Sequence, residues 1–215
     1  MERLVCLAIG YVFGLFQTSY IYGRMHGIDI RNHGSGNAGT TNMLRTMGTK
    51  AGAITLLGDA FKCVFAVLLV KLIFGAKYAD ILPLLSFYTA AGVILGHNFP
   101  FYLNFRGGKG IAATAGLILS LNWIMTLCGI VTFSTALILT HYVSLGSLLV
   151  YTGFMIELVI MGQCGVFGMT QNYLNEMYAI GAALTVLAFW MHRENIRRLL
   201  HHEERKTYLF HKKKS

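Results

Sequence analysis

Charge is what this sequence has least of. Only 18 of its 215 residues are Lys or Arg and 9 are Asp or Glu, 13% together, against roughly 25% in soluble domains. A soluble globule this poor in charge would lack the polar surface to cover itself. Proline is almost missing, at 2 residues. Disorder and collagen are excluded, because apolar residues make up 55% of the chain. Cysteine is sparse and unpatterned. Cys6, Cys63, Cys128 and Cys164 lie in or near apolar runs with no paired spacing. They read as small packing residues, and neither a disulfide framework nor a cysteine metal site is expected. What remains is an integral membrane protein, all-α and polytopic.

The charge-free stretches carry that reading. Residues 4–23, 81–105 and 110–156 hold no Asp, Glu, Lys or Arg. The last has 47 residues, and at ~1.5 Å per residue across a ~30 Å hydrocarbon core it must cross at least twice. Long apolar runs also lack the alternation of an outer-membrane barrel. Seven spans are expected, at 4–22, 51–74, 81–96, 111–121, 123–141, 146–162 and 178–191. The fourth is short and its boundary at Asn122 soft, so six stays open.

Basic residues set the orientation. With seven spans, one side receives 14 of the 18 Lys and Arg: Arg24, Arg31, Arg45, Lys50, Arg106, Lys109 and eight in the tail, which include Lys212, Lys213 and Lys214. That side should be cytoplasmic, with the N-terminus outside and the C-terminus inside. The formal net charge of +9 is then topology rather than nucleic-acid binding, although the tail can also meet anionic lipid. The first span lacks a small-x-small cleavage site and reads as a membrane helix, not a signal peptide. No repeat is visible. Residues 1–215 read as one membrane-embedded domain with a short basic tail from about 203.

Three polar clusters fall on the basic side. The first is Gly34-Ser35-Gly36-Asn37-Ala38-Gly39-Thr40-Thr41-Asn42, then Arg45. Glycines let backbone N–H groups approach a ligand and form an anion nest. Ser35, Asn37, Thr41 and Asn42 add neutral donors, and Arg45 adds a planar fork for phosphate. A helix opening near Thr41 would point its N-terminus the same way. The second cluster runs from Gly96-His97-Asn98 to Phe105-Arg106-Gly107-Gly108-Lys109-Gly110. It is not a Walker A loop, since no Gly lies five residues before Gly108. The third is His192-Arg193-Glu194-Asn195-Ile196-Arg197-Arg198, followed by Glu203-Glu204. As a helix it puts His192, Asn195 and Arg198 on one stripe. Together the clusters suggest a polyanion site beside lipid, more suited to phosphate than to carboxylate.

Ionisable residues inside spans are costly and noteworthy. Asp59 and Lys62, three apart, can neutralise each other as a structural pair. Glu157 sits mid-span, protonated or bonded to a hydroxyl such as that of Thr152 or to another helix. His141 to Ser147 reads as a structural polar turn that can also line the site.

These motifs resemble those of the bacterial acyl-phosphate:glycerol-3-phosphate acyltransferases, the PlsY family. Residues 34–45, 96–114 and 192–204 match its three signatures in order, and Asp59, Lys62 and the Ser144-Leu145-Gly146-Ser147 run also fit. The departures are Thr40 for the usual Ala, Cys63 for a Gly, and His202 for the Gly before the last acid, which loosens the placement of Glu204. The resemblance implies seven helices, a cytoplasmic active site and acyl transfer from acyl phosphate to the 1-hydroxyl of glycerol 3-phosphate. The products would be lysophosphatidate and phosphate, at the first acylation of bacterial phospholipid synthesis. Neither acyl-CoA nor acyl carrier protein would serve as donor. No cofactor and no metal are expected, and the chain is expected to act as a monomer in the bilayer, without nucleic acid.

The candidate catalytic residues are Ser35, Arg45, His97, Lys109, His192 and Asn195. Gly34, Ser35, Gly36, Asn37, Thr41, Asn42, Arg45, Gly107, Gly108, Lys109, Asn195, Arg198 and Glu204 are the candidate phosphate-binding set. Which wall holds which phosphate stays open; the family leans toward the second motif for glycerol 3-phosphate. The base also stays open between His192, His97 and a substrate phosphate oxygen, since no His precedes an Asp by five positions. Direct transfer without an acyl-enzyme is expected. The main rival is a transporter of a phosphorylated solute, which should bind near the midplane on broken helices; here the spans read as uninterrupted. A CDP-alcohol phosphotransferase would need paired aspartates on spans, and only Asp59 lies in one.

Overall fold

The computed structural model of the chain describes residues 1–208. Lys212, Lys213 and Lys214, counted above on the basic side, lie outside the described residues. Among the described residues every regular element is helical: α1 (Glu2–Gly14), α2 (Thr18–Met25), α3 (Thr40–Met47), α4 (Thr49–Phe74), α5 (Leu82–Asn98), α6 (Ile111–Leu121), α7 (Trp123–Thr140), α8 (Val143–Gln163), α9 (Gln171–Met191) and α10 (Arg193–Leu200), with three short 3-10 turns. Six segments are long and apolar enough to cross a membrane: Glu2–Met25, Thr49–Phe74, Ala79–Leu103, Trp123–Thr140, Val143–Gln163 and Gln171–Met191. α6, with 11 residues, reaches only about 17 Å and falls short of the core on its own. Asn122 separates it from α7. Its extended backbone ends one helix, and its side chain accepts from the Ile124 and Met125 N–H groups to cap the next.

α5 is the central helix. It is apolar all round, which is the pattern of a helix buried on every side, and Leu84, Leu85, Phe87, Ala90 and Val93 are fully buried. α1 lies directly along it. Gly10 and Gly14 of α1 face Gly92 and Gly96 of α5, and a Cβ on Gly14 would stand 2.8 Å from the Gly96 Cα. Two small-xxx-small ridges thus let the backbones touch, the association mode that suits helices in lipid. Leu72, Ile138 and Val186 stay largely exposed on the outside of the bundle.

Two boundaries depart from the sequence reading. The first span is interrupted, because α1 ends at Gly14 and α2 restarts at Thr18. The polar Gln17 fills the gap: its Nε2 donates to the Gly14, Gly96 and His97 carbonyls at 3.2, 3.3 and 3.0 Å. The last span starts at Gln171 instead of 178, which brings Glu176 into the helix. Its charge is neutralised by Arg3 at 2.6 Å, and the Tyr88 hydroxyl donates to the same carboxylate at 2.6 Å. Thr152 spends its hydroxyl proton on the Leu148 carbonyl of its own helix at 3.0 Å, so it does not donate to Glu157.

Candidate active site

The C-terminal ends of α5 and α9, the N-terminal ends of α6 and α8, and the loop into α3 meet around one cavity of about 870 Å³. It lies at the end of the bundle opposite the Arg3–Glu176 pair.

The first wall is folded by its own side chains. Asp29 caps the short turn at Ile30–Asn32 and pairs with Arg31 at 2.7 Å. That pair holds the Asp29 carboxyl below its usual range, chiefly through the Arg31 hydrogen bond. Arg31 then reaches the Leu103 carbonyl at 3.1 Å, tying the first cluster to the second. Gly34 and Gly36 adopt left-handed backbone, φ 61° and 72°. Asn42 holds the resulting turn. Its Nδ2 donates to the Ile30, His33 and Asn37 carbonyls, and its Oδ1 accepts from the Ser35 N–H at 2.9 Å. Asn42 therefore shapes the wall from within. The Ser35 N–H is spent on it, and the Gly36 N–H is spent on the His33 carbonyl. Ser35, Asn37, Thr41 and Arg45 line the cavity. Arg45 has its proton affinity lowered, mainly by partial burial.

The second wall closes the end of α5. The Gly107 and Gly108 N–H groups donate to the Asn98 and His97 carbonyls at 3.2 and 3.1 Å, which are carbonyls a helix end leaves open. They are thus not free to cradle an anion. Gly108 does not line the cavity; it packs on the His97 ring so tightly that a Cβ would overlap its Nε2. Gly107 and Lys109 do line it. The Lys109 ammonium donates to Asn195 Oδ1. Burial pushes Lys109 down to about 8, with Arg198 adding repulsion and Glu204 opposing both.

The third wall is the kink between α9 and α10. Nδ1 of His192 lies 2.8 Å from the Ala188 carbonyl, so Nδ1 carries the proton and Nε2 is bare. Burial pushes His192 down to about 4, and the Lys109 charge adds to this. Asn195 passes the contact onward, its Nδ2 donating to Glu204 Oε1 at 2.8 Å. The same carboxylate accepts from Ser144 at 3.0 Å and from Arg198 at 2.7 Å. Burial would raise the Glu204 carboxyl, but these three donors outweigh it and the net shift is downward. Glu204, not Glu203, is thus the acid that the third motif brings inward. Glu204 braces Asn195 and Arg198 braces Glu204, and both also line the cavity.

Beneath the walls lies a buried charge network that the sequence resolved only as a pair. Lys62 bonds Asp59 Oδ1 at 2.9 Å, and also the Phe16 carbonyl at 2.7 Å, the Gly14 carbonyl at 3.3 Å and His97 Nδ1 at 2.9 Å. Thr18 donates to the same Asp59 oxygen at 3.0 Å. Asp59 and His97 both line the cavity floor. An ammonium facing Nδ1 leaves the ring proton on Nε2, so His97 is a donor toward Gly108 and the site. Gln17 is the missed position, and Asp59 and Lys62 are expected only as a structural pair. The signal for Gln17 was a lone amide in an otherwise apolar span; nothing local marked the long reach of Lys62.

The family model described as glycerol-3-phosphate acyltransferase matches residues 4–202 of the chain. The glycerol-3-phosphate acyltransferase of Clostridioides difficile (strain 630) is 42% identical over 206 residues, covering 94% of each chain. That of Thermotoga petrophila is 38% identical over 206 residues, covering 94% of this chain and 95% of the relative. Among solved structures, the chain is similar to PlsY (YgiH), an integral membrane glycerol 3-phosphate acyltransferase. The glycerol 3-phosphate form superposes with a TM-score of 0.82 at 26% identity, covering 97% and 96% of the two chains. The lysophosphatidic acid form gives 0.78 at 25%, covering 97% of each.

Proposed function

The chain belongs to the glycerol-3-phosphate acyltransferase family, and from that premise we propose that its acyl donor is an acyl phosphate and that the cavity is where the chain passes to the 1-hydroxyl of glycerol 3-phosphate. The protein is an integral membrane acyltransferase of the PlsY kind. The observation that carries the finer reading is the convergence of Arg45, Lys109, His192 and Asn195, drawn from three loops, on one cavity at the end of the helices. Two phosphate headgroups need cationic walls, and an acyl chain needs lipid; this placement offers both.

The chemistry assigns roles. Acyl phosphate is a mixed anhydride, so its leaving group is already good. The glycerol oxygen attacks the acyl carbon, the carbon–phosphate-oxygen bond breaks, and the hydroxyl proton leaves with the phosphate. Arg45 and Lys109 offset the charge that grows on the leaving phosphate, and Ser35 stands at the wall to donate to the carbonyl oxygen. His97 donates through Nε2 and cannot take the proton at Nδ1, which faces Lys62. The bare Nε2 of His192 can accept from the glycerol hydroxyl and orient it. A group held near 4 is a weak base, so the proton passes to phosphate oxygen; the transfer itself is direct, without an acyl-enzyme. The whole chain acts as one domain and one copy. Its basic side, and with it the site, faces the cytoplasm of a bacterial inner membrane, with the N-terminus outside.

Detergent-purified protein given palmitoyl phosphate should release phosphate only when glycerol 3-phosphate is added. Lysophosphatidate should form in equal amount, unaffected by EDTA; Asn195→Ala should abolish it, and Arg45→Ala should cut it at least tenfold while leaving turnover that can be measured. Turnover with an acyl thioester but not with palmitoyl phosphate would overturn the donor assignment.

A further inference from the structure

Residues 203–208 lie beyond the residues 4–202 that the family model matches, yet they are built into the site. Glu204 fastens the start of this segment, as described above. Thr207 is 4% exposed, and its N–H donates to the His141 carbonyl at 2.8 Å. The Tyr208 ring lies 4.6 Å from that of His141, and Lys206 sits 6.0 Å above the Tyr142 ring. Between these anchors the segment crosses Arg45. Nη2 of Arg45 donates to the Arg205 carbonyl at 2.8 Å and to the Thr207 hydroxyl at 2.5 Å.

Guanidinium geometry gives this contact a consequence. A two-pronged grip on a phosphate uses either Nη1 with Nη2 or Nε with Nη2. Both edges share Nη2, and its two hydrogens are already committed. A ligand can take one N–H from Nη1 or Nε, but it gains the fork only when Arg205 and Thr207 let go. The acceptors to be displaced are a neutral carbonyl and a neutral hydroxyl. The guanidinium brings one charge to these bonds already; an anionic oxygen brings the opposite charge as well, and two such oxygens match the planar fork, so a phosphate with two free anionic oxygens can win the exchange where a neutral ligand cannot.

We propose that Thr207, together with the Arg205 carbonyl, is a specificity-determining latch on Arg45 that yields the guanidinium fork only to a phosphate group. The latch rests on the reading of Arg45 as a phosphate contact given under Proposed function. When the phosphate takes the fork, the peptide segment 205–207 detaches from Arg45 while Glu204 keeps its start in place.

The test uses the full chain in detergent, with two readouts. One is the KM for glycerol 3-phosphate and for palmitoyl phosphate, each measured at saturating partner. The other is the rate of trypsin cleavage after Arg205 and Lys206, followed by intact mass. Inorganic phosphate, glycerol 3-phosphate or palmitoyl phosphate is added singly. In the wild-type chain, the phosphate that Arg45 receives should speed cleavage at these two sites, and the arm that does so identifies its source. Thr207→Val removes one acceptor at constant size. It should lower the KM for that same substrate about two- to tenfold, the range one hydrogen bond supports, and make cleavage fast without ligand. Thr207→Ser should behave as wild type. Arg45→Ala separates the two ideas. If it leaves both KM values unchanged, Arg45 is not a phosphate contact and the underlying reading fails. If it raises one KM at least tenfold while Thr207→Val raises the same KM or leaves it unmoved, the segment orients Arg45 and the latch is wrong.

Discussion

Lys62 donates to Nδ1 of His97 across 2.9 Å, and this single contact joins the break in the first span to the floor of the site. The same ammonium holds the Phe16 carbonyl, which the break leaves without a helical partner, and the Asp59 carboxylate. Asp59 and Lys62 are both nearly fully buried. Removing one member of such a pair strands the other charge, at a cost of about 3–5 kcal/mol. Lys62→Met should therefore lower the thermal midpoint in detergent steeply and remove activity. The double change Lys62→Met with Asp59→Asn should recover much of the midpoint but not the activity, since His97 would still lack the donor that fixes its tautomer. Equal recovery of both would show that Lys62 has no part in orienting His97.

Lys109 and His192 define the pH behaviour. Lys109 keeps its proton only up to about 8 in the folded chain, against 10.5 when free. The KM for the phosphate it contacts should rise as pH passes 8 and the charge is lost, and Lys109→Arg should flatten that limb. The stability effect has the opposite sign. Between 8 and 10.5 the unfolded lysine binds more proton than the folded one, so stability gains from this residue as pH rises through that window. His192, held near 4 by burial, stays neutral at every pH above about 5. An acid limb near 6 should then follow the substrate phosphate and persist in His192→Asn to the extent that variant still turns over. A limb that vanishes with His192 would assign the titration to the ring.

The left-handed residue after α10 offers a gain. His202 has φ 58°. The bonds around it, Glu203 N–H to the Arg198 carbonyl at 2.8 Å and His202 N–H to the Leu199 carbonyl at 3.2 Å, form a Schellman closure. That closure favours Gly at this position, where the resemblance had expected one. His202→Gly should stabilise the chain by about 0.5–1 kcal/mol, raising the midpoint by roughly 1–4 °C with unchanged kcat. A fall in midpoint would mean that the His202 side chain makes a contact worth more than the strain.

How much of this was legible beforehand depended on range. The apolar runs marked the spans and the motifs marked the three walls, because both signals are local in sequence. Asn195, Lys109 and Arg45 could be placed at one site for that reason. The role of Asn42 could not. A ligand amide and an amide that braces its own turn have the same local pattern, and only the four bonds to residues 30–37 separate them. Gly107 and Gly108 misled in the same way: glycine permits close approach, but here what approaches is the end of α5 rather than an anion. Gln17 was hidden by its apolar neighbours, and the start of α9 was hidden because Glu176 ended the charge-free window before the helix did.

The glycine contact between α1 and α5 makes a prediction that couples packing to chemistry. A methyl on Gly14 would stand 2.8 Å from the Gly96 Cα and 3.0 Å from the His97 nitrogen. These are backbone atoms in the last turn of the buried helix α5, so neither can step aside alone. The helices must separate, and overpacking of this kind costs about 1–3 kcal/mol. The shift falls directly on His97 and on the carbonyls that Gln17, Gly107 and Gly108 use. Gly14→Ala should thus lose more in kcat than its drop in midpoint would suggest, at a temperature where it is fully folded. Gly129 is the matched control, because a Cβ there meets nothing within 4 Å; Gly129→Ala should leave both quantities as they are. If Gly14→Ala retains full kcat with only a lowered midpoint, the α1–α5 seam stabilises the bundle without setting the position of His97.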